Sequence, residues 1–213
     1  MKEFFEQLLL KTKNAFESSD VLKRQIALCQ KWNYSVCATP IQKGKGIVFG
    51  LNWGGSNHDP QAEYPLEEKE HSWNFMNNSR RYFSQYLEID SINQVNYSNL
   101  CFFRSPKIHY LTQDDWQRSI PLFEEYVNFI DPPWTLMLGS AALSHLGDAG
   151  PWKLVKKISE RSNSKTVHGY QGILFEKYPL IIVPHPQARI STKARDAIWE
   201  QLFKEKKLKV ELG

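Results

Sequence analysis

Cysteine is scarce in this sequence, and its three occurrences, Cys29, Cys37 and Cys101, form no C-x-x-C pair. An odd number of scattered cysteines argues against a disulfide framework and against a tetracysteine zinc or iron–sulfur site. No apolar run reaches membrane-spanning length, and no basic segment followed by an apolar stretch opens the chain. These absences predict a cytoplasmic globular protein with neither a signal peptide nor a membrane partner.

Several motifs that bind phosphate or activate a nucleophile are also absent. The chain contains no G-x-x-x-x-G-K-[ST], G-x-G-x-x-G or G-x-S-x-G. His58, His145 and His168 lack metal-ligand spacing with Cys or Asp, so no metal site is predicted. What is present is 213 residues, 41% of them hydrophobic, with a formal net charge of +4. One domain over 1–213 is expected, and its basic bias permits nucleic-acid binding without establishing it.

Hydrophobic periodicity predicts the elements of an α/β fold. Short apolar runs predict four strands, at 47–51, 94–103, 134–139 and 180–184. Helical spacing predicts helices within 1–30, 73–83, 112–131 and 151–160 and after Ser191, with a loop at 161–172. This alternation predicts a three-layer sandwich in which a central four-stranded, mostly parallel sheet is flanked by helices on both faces. The N-terminal helical segment, 1–30, is expected to pack on this domain.

Ligands of such sheets bind beyond the carboxyl ends of the strands, and three segments there carry polar residues. Asn52 begins a glycine-rich loop, Asn99 interrupts an apolar run, and His185 stands between two prolines. Taken alone, the first segment also fits an ordinary β-to-α connection, and Asn99 also fits an amide that satisfies local backbone groups. The rigid position of His185 at the ligand-binding edge favours a functional role.

Together these segments resemble the uracil-DNA glycosylase superfamily. Gly50-Leu51-Asn52 looks like its first motif, in the version with Asn at the catalytic position, and His185-Pro186 is similar to its second catalytic motif. Asn99-Leu100-Cys101 resembles the segment that reads the flipped pyrimidine, and Leu138-Gly139-Ser140 resembles the third-strand ending. The resemblance covers roughly residues 30 to 200 and is closest to the single-strand-selective monofunctional uracil-DNA glycosylases and their bacterial relatives.

The resemblance implies a monofunctional DNA glycosylase that leaves an abasic site and needs no metal or organic cofactor. Asn52 would position a water for attack on the sugar C1′, Asn99 would hold the base edge, and His185 would stabilise charge on the departing base. The base-binding residues it implies are Gly50, Leu51, Gly54 and Asn99, with Tyr64 or its rival Trp53 stacking on the base. The DNA-binding residues it implies are Ser140, Gln187, Arg189, Lys193 and Arg195. A monomer is expected, with DNA as its partner.

Two departures from the family pattern put the substrate in question more than the reaction class. Trp53 stands where the family usually has Pro, and Gln187 stands where it usually has Ser. One alternative is therefore a glycosylase for a bulky modified pyrimidine, as in defence against viral DNA. A DNA-binding member without catalysis is disfavoured by the presence of Asn52, Asn99 and His185 together, and an unrelated α/β enzyme or nucleotide-binding module is disfavoured by the absent phosphate and hydrolase motifs. The candidate phosphate contacts are the basic residues Lys153, Lys156, Lys157, Lys165, Lys193 and Arg195. At least half of them are expected to form a solvated basic surface without a DNA contact.

Overall fold

Helices and strands alternate along the chain, as expected for an α/β fold. A computed structural model describes residues 1–29, 32–54, 59–66, 77–105 and 107–204. In these ranges the α-helices are α1 Lys2–Glu17, α2 Val21–Ala27, α3 Asn77–Tyr82, α4 Gln113–Ile130, α5 Ala141–Leu146 and α6 Thr192–Phe203. The strands are β1 Asn33–Tyr34, β2 Ile47–Asn52, β3 Asn96–Cys101, β4 Phe103–Arg104, β5 Thr135–Leu138, β6 Trp152–Ser162, β7 Lys165–Leu174 and β8 Tyr178–Val183. Of the helix predicted at 73–83, residues 73–76 lie outside the described ranges.

A mostly parallel six-stranded sheet, with the order β3-β2-β5-β8-β7-β6, forms the centre of the fold. The parallel strands β3, β2, β5 and β8 are the four that the sequence predicts. The prediction of a four-stranded sheet is wrong in number, because β7 and β6 extend it by antiparallel pairing. β1 and β4 form a separate antiparallel pair.

The hairpin β6–β7 replaces a helix and a loop that the sequence analysis places at 151–160 and 161–172. Both predictions are wrong. Leu154 and Val155 are 40% and 67% exposed, so the apolar residues of this segment form no buried helical stripe. In the second half of β6, Ile158 and Ser162 are buried and Glu160 is half-buried, while the residues between them are exposed. Burial at every second residue is the pattern of a strand with one covered face. A two-residue turn with Asn163 at a φ of +55° joins the strands.

Alternate side chains of the parallel strands enter two hydrophobic layers, one on each face of the sheet. Phe49 of β2 packs in one layer with Phe5 of α1 and Phe123 of α4. Val48 packs in the other with Ile198 of α6. All are fully buried, and each large side chain contributes about 1.5–3 kcal/mol by leaving water. Helices therefore cover both faces of the sheet.

Capping residues set both ends of α4 and the start of α6. The Thr112 N–H donates to the Asp115 carboxylate at 2.7 Å, and Asp131 in the left-handed region ends α4 ahead of two prolines. The Ser191 Oγ accepts from the Ala194 N–H and starts α6 directly after the His185 loop. In the described ranges, no helix combines the length and the apolar character needed to cross a bilayer.

Candidate functional site

The carboxyl ends of β2, β3, β5 and β8 border a cleft of about 1020 Å³. This is the edge at which parallel sheets bind ligands. The predicted site residues that line it are Gly50, Leu51, Asn52, Trp53, Gly54, Asn99, Ser140, His185 and Gln187. Residues distant in sequence thus meet because their strands end at one edge. Tyr64, Arg189, Lys193 and Arg195 do not line this cleft.

Asn52 is held at the end of β2 by one half of its amide. Its Nδ2 donates to the Ser105 carbonyl oxygen at 3.1 Å. Ser105 is fully buried, and its Oγ donates to the Lys107 carbonyl oxygen at 2.6 Å, which fixes this acceptor in place. Because the nitrogen is engaged, the Asn52 Oδ1 remains as the atom that accepts a hydrogen bond from a ligand or a water.

Asn99 brings a buried amide to the cleft from β3. Its side chain is 4% exposed and makes no hydrogen bond to any described residue. Its polar atoms are not enclosed by the protein and remain open to the cleft, where a ligand can take the place of water as their hydrogen-bond partner. The amide offers both a donor and an acceptor, which matches the edge of a pyrimidine.

His185 follows β8, and a backbone contact fixes the position of its proton. The Gln187 N–H donates to the His185 Nδ1 at 3.2 Å. Burial lowers the pKa of His185, and the positive charge of Arg195 lowers it further. The imidazole is therefore neutral at pH 7, with its proton on Nε2, and this N–H is available as a donor.

Gly139 allows β5 to approach the His185 side chain closely. Its φ is +97°, its N–H donates to the Val183 carbonyl oxygen at 2.8 Å, and an added Cβ would lie 3.2 Å from the His185 Cβ. A larger residue would be both strained and crowded at this position.

Arg195 holds the His185 loop from beneath and is not a surface residue. It is 6% exposed, and its guanidinium donates to the carbonyl oxygens of His185 at 3.1 Å and Ala188 at 2.9 Å. This burial does not fit the DNA contact that the resemblance implies for Arg195. Arg189 and Lys193, in contrast, are exposed on the same loop and at the start of α6.

The two aromatic candidates for base stacking have different places. The Tyr64 hydroxyl accepts from the Ile41 N–H at 2.7 Å, and its ring meets Phe5 edge-on, so Tyr64 packs the domain outside the cleft lining. Trp53 lines the cleft, is 9% exposed, and meets the Tyr97 ring edge-on at 5.9 Å. The structure therefore places Trp53, and not Tyr64, at the cleft.

Two unpartnered donors lie in the wall formed by Trp53 and Arg104. The Trp53 Nε1 and the Arg104 Nε are buried without a hydrogen-bond partner. Another guanidinium nitrogen of Arg104 donates to the Gly54 carbonyl oxygen at 3.0 Å, and the group lies 5.9 Å from the Trp53 ring centroid. Burial lowers the pKa of Arg104. Both atoms are enclosed by the protein and do not face the open space of the cleft.

One wall of the cleft is formed by residues that were not predicted from the sequence to belong to the site. Thr166, Val167 and His168 of β7 line it, together with Tyr97 and Arg104. The β7 residues were assigned to a loop, although the short Asn163-Ser164 turn between two polar strands is a hairpin signal. Arg104 was visible as the first charged residue after the second predicted strand.

Carboxylates are absent from the described lining of the cleft. An acidic group of Asp20, Asp114 and Asp115 lies elsewhere, and Arg24 donates to Asp20 at 2.9 Å and to Asp115 at 2.7 Å. The ionisable side chains in the described lining, apart from the phenol of Tyr97, are Arg104, His168 and His185, and the side-chain amides are Asn52, Asn99 and Gln187.

Comparison with known proteins gives no family: no protein-family model matches the chain, and no match is found among curated proteins.

Proposed function

We propose that this chain is a monofunctional DNA glycosylase that removes uracil or a related damaged pyrimidine from DNA and leaves an abasic site. One observation carries the proposal. Asn52, Asn99 and His185 come from the ends of three strands and line one cleft. Each presents a different group there: an amide oxygen, a whole amide, and an imidazole N–H.

The three groups match the three needs of glycosidic hydrolysis. The Asn52 Oδ1 orients a water toward C1′ by accepting a hydrogen bond from it. As the bond from C1′ to the base N1 breaks, its electron pair goes to the base, the water oxygen forms the new bond to C1′, and the proton that the water loses passes to solvent while the base anion takes up a proton after it is released. The His185 Nε2–H donates to the pyrimidine oxygen on which negative charge develops. Preorganised donors of this kind act strongly in sites that exclude water.

Asn99 fits the recognition of the base. Its amide can donate to a pyrimidine carbonyl and accept from the ring N–H. The target base must leave the stack to reach the cleft, at a cost of a few kcal/mol. Trp53 supplies an aromatic wall, and the exposed Gln187, Arg189 and Lys193 border the route by which a DNA backbone would approach.

A second candidate is a glycosylase for a bulkier modified pyrimidine. The cleft volume of about 1020 Å³ lies at the upper end of the roughly 300–1,000 Å³ usual for small-ligand sites. Trp53 and Gln187, the two departures from the family pattern, both line this cleft.

The two candidates are separated by a substrate panel. Single- and double-stranded oligonucleotides carry one uracil or one modified pyrimidine, and alkali reveals abasic sites while chromatography identifies the released base. Release of free uracil supports the first candidate, and release of modified bases alone supports the second. Binding of DNA without release of any base contradicts both and leaves a DNA-binding protein without catalysis.

A further inference from the structure

Positive charge is concentrated in the β6–β7 hairpin. Its residues, 152–174, include five basic side chains and one acidic side chain, a net charge of +4, which equals the formal net charge of the whole chain. The rest of the protein is therefore neutral on balance. A charge excess confined to one hairpin indicates a local anionic partner better than it indicates general solubility.

The basic side chains of the hairpin are free of counter-charges. All five are exposed, and across the described ranges none of them forms an ion pair with a carboxylate. The acidic residue, Glu160, instead accepts a hydrogen bond from Gln201 of α6. Within the described ranges, no carboxylate is paired with the positive charges of the hairpin.

Cross-strand pairing places part of this charge on the face that borders the cleft. Arg161 pairs with Thr166, and Lys157 pairs with Tyr170, so each basic side chain shares a face with its partner. Between these pairs lies Ser159 opposite His168, joined by a hydrogen bond of 2.8 Å between Oγ and Nδ1. Because Thr166 and His168 line the cleft, Lys157 and Arg161 lie on its side of the hairpin.

A hydrogen bond also joins the tip of the hairpin to the segment that carries Arg189 and Lys193. The Ser162 Oγ accepts from the Ser191 N–H at 2.7 Å, which anchors the tip to the start of α6. Lys165 follows the turn on the opposite strand, while Arg189 and Lys193 flank Ser191. Lysines on an edge strand such as β6 also block edge-to-edge pairing, but that role does not require a charge on the face beside the cleft.

We propose that Lys157 and Arg161, the hairpin rim, bind the backbone phosphates of the DNA strand that flanks the extruded nucleotide. Lys165 pairs with Ser162 and lies on the opposite face of the hairpin, so it is not part of the rim. The inference rests on the proposed function and adds a second phosphate-binding surface to it. Lys157 and Arg161 are four strand residues apart, about 13 Å, which is the axial length of about four nucleotides. The contact is with phosphate and carries no sequence preference.

The test compares two double variants of equal net charge. The rim variant combines Lys157→Gln and Arg161→Gln. The control combines Lys13→Gln and Lys23→Gln on α1 and α2, where the side chains are exposed and outside the cleft lining. Fluorescence anisotropy of an undamaged oligonucleotide, single- or double-stranded, is measured across a salt series, and circular dichroism checks that all proteins fold.

Each lost phosphate contact makes the slope of log K against log salt less negative by about 0.7 on single strands and 0.9 on duplex. The rim variant is therefore expected to lose about 1.4 to 1.8 units of slope, whereas the control keeps the wild-type slope. Equal slopes for the two variants, or a wild type that does not bind DNA, would overturn the proposal.

The outcome is separable from that of the proposed function. Excision is measured with enzyme in saturating excess, where the rim variant is expected to keep the wild-type rate because docking no longer limits it. A slope difference without excision by the wild type supports the rim and contradicts the glycosylase. Excision without a slope difference contradicts the rim alone.

Discussion

Gly50 and Asn99 stand opposite each other in the parallel pair β2–β3, and the Asn99 Oδ1 occupies the space in which any other residue at position 50 would place its Cβ. Gly50 of the first motif and the side-chain amide of Asn99 therefore form one packing unit, although 49 positions separate them in sequence. This relationship gives Gly50 a reason to be glycine that does not depend on a turn or on a positive φ.

Gly50→Ala is expected to displace the Asn99 amide and to lower kcat/KM for base excision by at least about tenfold. Overpacking of this kind costs about 1–3 kcal/mol of unfolding free energy. Gly54→Ala is the matched control, because a Cβ there meets no atom within 4 Å. Excision kinetics and thermal melting of both variants check the prediction, and equal activities would show that the Asn99 position does not matter.

Asn99→Leu is expected to abolish excision at little cost in unfolding free energy. The Asn99 amide makes no hydrogen bond to a described residue and its polar atoms are open to the cleft, so the substitution breaks no hydrogen bond within the described ranges. Asn96→Leu is the control on the same strand, because the Asn96 amide is fully buried, accepts from the Gln42 N–H at 2.8 Å and donates to the Gln42 carbonyl oxygen at 2.9 Å. Urea unfolding should show a loss for Asn96→Leu only, and a comparable loss for Asn99→Leu would indicate a structural role.

The lowered pKa of His185 predicts a pH dependence of stability. The folded protein binds the proton more weakly than the unfolded chain, whose His titrates near 6.5. Stability is therefore complete above about pH 6.5, falls as the pH drops from there toward the folded pKa, and changes no further below it. His185→Gln should remove this contribution and leave that of His168, whose pKa is lowered by burial and by Lys157. Identical pH profiles of urea unfolding for wild type and variant would contradict the assignment.

Arg195→Met is expected to impair excision without changing the salt dependence of DNA binding. The change leaves the carbonyl oxygens of His185 and Ala188 without their protein donor, so that only solvent satisfies them and the loop that carries His185 is less firmly held. Lys193→Gln is the contrast, because its exposed ammonium should contribute about 0.7–0.9 of salt slope if it binds a phosphate. A change of slope for Arg195→Met similar to that of Lys193→Gln would restore Arg195 as a DNA contact.

The parallel half of the sheet could be predicted because its strands are short apolar runs bounded by turn residues. Since such strands end at one edge, the order of the motifs was enough to bring Asn52, Asn99 and His185 together. The β6–β7 hairpin could not be found in the same way, because β6 buries little apart from Ile158 and Ser162, and its charged residues mask the period of two. An edge strand carries the weakest hydrophobic signal of any strand in a sheet.

Side-chain roles that depend on tertiary neighbours could not be predicted from the sequence, for a different reason. Tyr64 and Trp53 are equivalent as stacking candidates until the fold shows that the Tyr64 hydroxyl accepts a hydrogen bond from Ile41. Arg195 is a plausible surface cation from its place in α6, and only its contacts with two loop carbonyl oxygens reveal a buried positioning role. The tautomer of His185 likewise follows from a backbone N–H two residues away.

The most direct test of the account is the rate of abasic-site formation in a uracil-containing oligonucleotide by wild type, Asn52→Ala and the control Asn14→Ala, which changes an exposed amide on α1. The account predicts excision by wild type and control, and a loss of about 10²–10⁴-fold for Asn52→Ala, the range expected when a residue that activates water is removed. Undiminished excision by Asn52→Ala, or failure of the wild type to release uracil or any modified pyrimidine, would contradict it.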